Sequence, residues 1–172
     1  MRSTNQLVLN IQDKELEFCL SVGVFDGLHL GHQHLLGRLL EVAGKGKYTP
    51  GVITFKQHPQ TVLYPHKAVP QLTTLDKRIR LLHEFGIDYV FPIGFNLTVA
   101  KLSAHDFLAV ISEQINLKSL IIGSDFALGR NRQGTVEVLQ QLGAKLGFAV
   151  DIVGQKLSES ANISSSNIRN LL

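Results

Sequence analysis

At 172 residues, with 44% hydrophobic and 18% charged side chains, the chain has the size and composition of one folded domain rather than a disordered segment. Seventeen Lys and Arg against 14 Asp and Glu leave a net charge of +3 without any block of like charge, which excludes nucleic-acid binding by bulk electrostatics and suits a pocket for small polyanions. One cysteine, Cys19, excludes a disulfide framework; no apolar run approaches the ~18 residues of a membrane span, and residues 1–10 lack the apolar core of a secretion signal, so a cytosolic protein without membrane contact is expected.

Apolar residues 16–25 predict a first strand, with Cys19 as a small core residue. The strand breaks at Asp26-Gly27, where glycine permits a sharp turn. From Leu30 the apolar positions Leu35, Leu36, Leu39, Leu40 and Ala43 recur at helical spacing, and Gly44 and Gly46 follow as stop signals. Residues 51–55 (GVITF) read as a buried second strand. Residues 58–71 hold Pro59, Pro65 and Pro70 and show no regular period; in a compact domain such a stretch is functional or mobile. Thr73 or Thr74 caps a helix carrying Ile79, Leu81, Leu82 and Phe85, ended by Gly86. Residues 89–93 predict a third strand, placed at an edge by Pro92. Ser103 with Asp106 resembles a capping box ahead of a helix carrying Phe107, Leu108, Val110, Ile111 and Ile115. Residues 119–123 predict a fourth strand, 135–146 a helix stopped by Gly147, and 148–153 a fifth strand, with a short helix from Ser164 or Ser165 after it.

Strands alternating with helices predict an α/β fold, a Rossmann-like doubly wound parallel sheet of about five strands with helices on both faces. Residues 1–172 are expected to form a single domain, without internal repeats. Ligands of such sheets bind beyond the carboxyl ends of the strands, at the switch in strand order. Segments 26–32, 55–59, 94–98 and 123–132 all follow strands and are expected on one rim.

Two features carry chemistry. Residues 23–32 (GVFDGLHLGH) place His29 and His32 where a strand feeds a helix. A helix N-terminus offers unpaired N–H groups and the positive end of its dipole, and so favours phosphate. Gly31 leaves the backbone open to a close approach, and the imidazoles can donate to charge developing on that phosphate. Residues 162–169 (NISSSNIR) set consecutive serines before a short helix and add Arg169, whose planar fork suits phosphate oxygens. His34, His66, His83 and His105 are expected at the surface. No cysteine or carboxylate completes a closed zinc site around His29, His32 and His34, so no metal ligand is assigned. Residues 44–47 (GKGK) lack the upstream glycine and following Ser/Thr of a P-loop.

Residues 23–32 resemble the G-x-F-D-x-x-H-x-G-H signature of nucleotidyltransferases, with every fixed position present. The resemblance implies that His29 and His32 stabilise the transition state at the α-phosphate of a nucleoside triphosphate, and that Gly23, Phe25, Asp26 and Gly31 belong to the nucleotide site. Residues 162–169 resemble the I-S-S-T-x-I-R element of the same superfamily, with Ser166 for Thr. This implies that Ser164, Ser165 and Arg169 hold the β- and γ-phosphates. Residues 54–59 (TFKQHP), 72–74 (LTT), Phe95-Asn96 with 102–104 (LSA), and 123–134 (GSDFALGRNRQG) narrow the family. From about residue 20 onward the chain resembles the FMN adenylyltransferase module of prokaryotic bifunctional riboflavin kinase/FAD synthetases. Implied are ATP and FMN as substrates, Mg²⁺ as the accompanying ion, and FAD and pyrophosphate as products of in-line attack at the α-phosphate. Also implied are flavin-side contacts at Phe55, His58, Asn96, Asp125, Phe126 and Arg132.

Most of these positions have a packing alternative. Phe55 suits the core, Asn96 and Asp125 suit turn caps, His58 can order its loop, and Arg130 and Arg132 suit solvent. Three departures fall on the flavin side: Gln57 for the first proline of T-F-x-P-H-P, Lys56 where an acidic residue is common, and Leu128 for an aromatic. A nucleotidyltransferase with another phosphorylated acceptor, or a non-catalytic flavin or nucleotide binder, are the competing readings. The family's riboflavin kinase module is not expected in these 172 residues, and such a module is the protein partner that the resemblance suggests.

Overall fold

The computed structural model describes residues 7–67 and 70–154. Five strands, β1 (Glu17–Val22), β2 (Thr49–Phe55), β3 (Tyr89–Ile93), β4 (Asn116–Gly123) and β5 (Ala149–Val153), form one sheet in the order β3-β2-β1-β4-β5. Every neighbouring pair is parallel, so all five carboxyl ends lie on one edge of the sheet. The chain lays β1, β2 and β3 outward in one direction, then crosses back to place β4 on the other side of β1. The switch in strand order therefore falls between β1 and β4, beside the segment that follows β1. Pro92 sits in edge strand β3, as predicted, in register with Thr54.

The helices are α1 (Leu30–Gly46), α2 (Pro59–Leu63), α3 (Leu75–Phe85), α4 (Leu97–Ala100), α5 (Ala104–Gln114) and α6 (Val136–Leu146). Helices α1 and α3 cover one face, where Leu36, Leu39, Ala43, Leu82 and Ile87 meet Cys19, Val52, Ile121 and Val153 of the sheet. Helices α5 and α6 cover the other, where Phe107, Leu108, Ile111 and Leu139 meet Phe18, Leu20, Ile53, Phe91 and Leu120. The N-terminal Leu7, Leu9 and Ile11 are buried in this second layer. The side-chain amide of Gln114 holds them there, accepting from Leu9 N and donating to the Leu7 carbonyl. Both faces of the sheet are thus occupied, as the apolar runs of its strands require.

Several boundaries differ from expectation. β1 stops at Val22, three residues short, because Phe25 takes a left-handed conformation (φ 55°). Helix α1 runs through Gly44 to Gly46 and ends at Lys47 (φ 58°), whose N–H donates to the Ala43 and Gly44 carbonyls. β4 starts at Asn116 rather than Ser119, pairing Asn116 with Glu17. Residues 58–71 are not wholly irregular. They hold α2, with Pro59 in its first turn, and a single 3₁₀ turn at Pro65–Lys67. Helix α4, one turn long, was not expected; it is too short to show a period. The short helix at Ser164 or Ser165 lies outside the described residues.

Candidate functional site

Between β1 and α1 the backbone enters the left-handed region three times, at Phe25 (φ 55°), Gly27 (φ 77°) and Leu28 (φ 42°). Gly27 is required there: a Cβ would lie 2.7 Å from Leu72 Cδ1. The two non-glycine residues store strain, about 1–3 kcal/mol each, that the surroundings must hold. Asp26 does so. It is 1% exposed, and its carboxylate accepts from Leu72 N (2.8 Å), Thr73 N (2.9 Å) and the Thr73 hydroxyl (2.9 Å). Thr73 Oγ1 also accepts from Gly27 N at 3.3 Å. The entry to α3 thereby clasps the turn after β1. Asp26 shapes the site from beneath, and its carboxylate faces Leu72 and Thr73.

His29 is the N-cap of α1, and its Nδ1 accepts from His32 N at 3.2 Å. That hydrogen bond assigns the proton of the neutral His29 ring to Nε2. The His29 and His32 rings stack, with centroids 3.6 Å apart and planes 15° from parallel. Phe25, 2% exposed, packs its ring edge-on to His32 at 5.3 Å. A Cβ on Gly23 would lie 3.1 Å from Phe25 Cε2, so glycine lets that ring lie close to the strand end. Gly31 stands in the first turn of α1. The two imidazoles and the helix N-terminus thus come together at the switch in strand order, where the helix dipole favours negative charge.

The strand ends beyond β2 and β3 form a second wall. Phe55 is buried (8% exposed) and meets Phe95 edge-on at 5.3 Å. Gln57 departs from the family pattern, yet it joins these segments: its Oε1 accepts from Phe95 N at 2.8 Å. His58 caps α2 through Nδ1, which accepts from Gln60 N at 3.1 Å. Asn96 caps α4 through Oδ1, which accepts from Val99 N at 2.9 Å. After β4, the loop carrying Asp125, Phe126 and Arg132 packs on the start of α5. Arg130 N donates to the Leu102 carbonyl (2.9 Å), and a Cβ on Gly129 (φ 87°) would lie 2.5 Å from Ala104 N. Asp125 and Arg132 are exposed, and Arg132 Nη2 donates to the Asp125 carbonyl at 3.2 Å. Phe126 is half-buried against the larger core, and Leu128 is buried within it. His34, His66, His83 and His105 are exposed, as predicted. Ser164, Ser165 and Arg169 lie outside the described residues.

Sequence reasoning missed two structural partners of the site. Thr73 was singled out within L-T-T, but not its pairing with Asp26, 47 residues away. Arg78 went unnoticed, although it lies four residues before buried Leu82 on the apolar stripe of α3.

A doubly wound parallel sheet with a capped helix N-terminus and paired imidazoles at its switch point places the chain in the α/β class whose ligands bind at that switch. The chain belongs to the FAD synthetase family, whose model matches residues 11–167. It is 32% identical over 164 residues to the bifunctional riboflavin kinase/FMN adenylyltransferase of Buchnera aphidicola subsp. Acyrthosiphon pisum, covering 95% of this chain and 52% of that protein. To the protein of the same name from Escherichia coli K12 it is 33% identical over 165 residues, covering 95% and 53%. The chain thus spans about half the length of the curated relatives it matches. A Streptococcus pneumoniae crystal structure described as a macrolide-efflux protein shares the fold with a TM-score of 0.83 and 27% identity, covering 96% of this chain and 53% of the other. Among the described residues of this chain no helix is long and apolar enough to cross a membrane.

Proposed function

We propose that this chain transfers the adenylyl group of MgATP to the phosphate of FMN, giving FAD and pyrophosphate. An oxygen of the FMN phosphate attacks the α-phosphorus in line as the bond to the bridging oxygen of pyrophosphate breaks. No covalent protein intermediate forms, so catalysis is positioning plus charge stabilisation. His29, through Nε2–H, and His32 donate to the α-phosphate oxygens as their charge grows, aided by the N-terminus of α1. By family resemblance, Gly23 and Gly31 keep the backbone clear of the nucleotide, with Phe25 and Asp26 holding the turn beneath it. Ser164, Ser165 and Arg169 hold the β- and γ-phosphates and the departing pyrophosphate. Mg²⁺ would accompany ATP and offset the charge of the triphosphate, with no metal ligand assigned to this chain's residues. The flavin lies toward Phe55, His58, Asn96, Asp125, Phe126 and Arg132. The reaction runs in the cytoplasm. A riboflavin kinase module, named in the relatives, is the partner that would supply FMN.

The observation that carries this reading is the stacked His29–His32 pair on the first turn of α1, in a chain of the FAD synthetase family. The test is FAD formation from ATP, Mg²⁺ and FMN, followed by chromatography in single turnover. His32→Ala should slow the transfer by roughly 10²–10³-fold and change ATP affinity much less, because the imidazole meets charge that develops in the transition state. Another phosphorylated acceptor consumed far faster than FMN would refute the flavin assignment. A loss of ATP affinity without loss of rate in His32→Ala would remove that histidine from the chemistry.

A further inference from the structure

Helix α3 hides a charge beneath the site. Arg78 is 0% exposed. Its Nη1 donates to three oxygens: the Val24 carbonyl (2.9 Å), Thr54 Oγ1 (2.9 Å) and the Phe55 carbonyl (2.8 Å). The Thr54 hydroxyl donates in turn to the Val24 carbonyl at 2.9 Å. Arg78 Nε and Nη2 are equally shielded and have no hydrogen-bond partner among the described residues. Burial pulls the guanidinium pKa down and the charge of Asp26 opposes that pull; the group stays charged.

The three acceptors lie on two loop roots. Val24 begins the strained turn that leads to His29 and His32. Thr54 and Phe55 end β2, on the wall facing the proposed acceptor. A buried guanidinium with two idle donors is a poor way to fill space, since an apolar side chain would leave none. Its grip on main-chain oxygens of both roots fixes one root against the other. We propose that Arg78 is a positioning residue for adenylyl transfer, holding the histidine-bearing turn in register with the end of β2 so that the α-phosphate and the attacking phosphate meet in line. The inference rests on the assignment of His29 and His32 to the α-phosphate side and of the β2 end to the acceptor side. In-line transfer is steeply sensitive to such placement, with a misplacement of about 1 Å slowing it ~10²-fold.

The clamp also says which replacement works. Nη1 carries two hydrogens for three acceptors, whereas a lysine ammonium carries three. Arg78→Lys can serve all three oxygens and leaves no idle donor. Arg78→Met keeps the apolar stem and serves none.

The test uses the full chain with isotope-labelled histidine and reads the imidazole C–H resonances by NMR, with His66 and His105 as internal references. Single-turnover FAD formation and ATP affinity are measured on the same samples. In Arg78→Met the His29 and His32 resonances should move while the references stay, and the rate constant should fall about 10²-fold with ATP affinity within about 3-fold of the parent. Arg78→Lys should return both the resonances and the rate. A single-turnover rate constant does not depend on the fraction of folded protein, so lowered stability alone would not produce this pattern. His29 and His32 resonances unmoved in folded Arg78→Met, or Arg78→Lys behaving like Arg78→Met, would overturn the proposal. If the parent chain forms no FAD, the acceptor assignment fails, and the resonances still decide for or against Arg78. If Arg78→Met does not fold, Arg78→Gln replaces it, keeping a polar stem that ends short of the Val24 and Phe55 carbonyls. A selective movement of the same two histidines supports the clamp, and its absence overturns it.

Discussion

Thr73→Val removes one hydroxyl and keeps the side-chain volume, so it isolates the clasp on the turn after β1. Two hydrogen bonds disappear. The first is the buried donation to the Asp26 carboxylate at 2.9 Å, a bond to a charged acceptor worth about 1.5–3 kcal/mol. The second is the longer bond from Gly27 N at 3.3 Å, worth about 0.5 kcal/mol given its length and partial exposure. The Leu72 and Thr73 amides still serve Asp26, so its carboxylate is not abandoned. The expected loss is about 2–3 kcal/mol, or roughly 5–10 °C in Tm for a domain of this size. The assay is thermal unfolding followed by circular dichroism, with Thr74→Ala as reference. Thr74 is exposed and caps α3 through a single bond from Lys77 N at 3.2 Å. Its loss should cost about 1 kcal/mol, or roughly 2–4 °C. If Thr73→Val proves no more destabilising than Thr74→Ala, the clasp does not hold the strained turn.

Gly129→Ala should destabilise by about 2–3 kcal/mol in urea unfolding, since a Cβ at φ 87° would meet Ala104 N at 2.5 Å. Gly147→Ala, at φ 95° with open space around it, should lose only about 1 kcal/mol; equal losses would show that the loop after β4 is not seated on α5. Burial pushes the Cys19 thiol from 9.0 up to about 12. Native protein should therefore resist aromatic disulfide reagents at pH 8, labelling only as fast as it unfolds, and immediate labelling would contradict the burial. Because the folded state keeps its thiol proton where the unfolded state has lost one, stability should fall as pH rises from about 9 toward 12.

Much of the architecture was legible because periodicity and punctuation agree in this chain. Gly86 and Gly147 end α3 and α6, Ser103 and Thr74 cap α5 and α3, and Pro92 marks the edge strand. The misses have physical causes. His29 and His58 both cap helices through Nδ1, a role that hydroxyl and carboxylate rules do not anticipate, so α2 was not expected. The glycines at 44 and 46 did not stop α1, because the left-handed cap fell instead on Lys47. At the site, the histidine turn was readable as a local motif. What holds it was not: Asp26 meets Thr73 and Val24 meets Arg78 across 47 and 54 residues, and nothing in either segment names the other. Arg78 left one trace, a charge on the apolar stripe of α3.

The grip of Gln114 on Leu7 and Leu9 spans more than a hundred residues, and this sets an order on folding during synthesis. Leu7, Leu9 and Ile11 leave the ribosome about a hundred residues before the amide that pins them, which arrives only at the last residue of α5. Until then they remain an apolar segment without its seat, a natural landing point for a chaperone. Meanwhile β1, β2 and β3, with the Asp26–Thr73 clasp and the Arg78 clamp, use only residues already made. The residues of the histidine side of the rim are therefore all made before those of β4 and its loop, and Leu7, Leu9 and Ile11 can take their seat in the second layer only once α5 is complete.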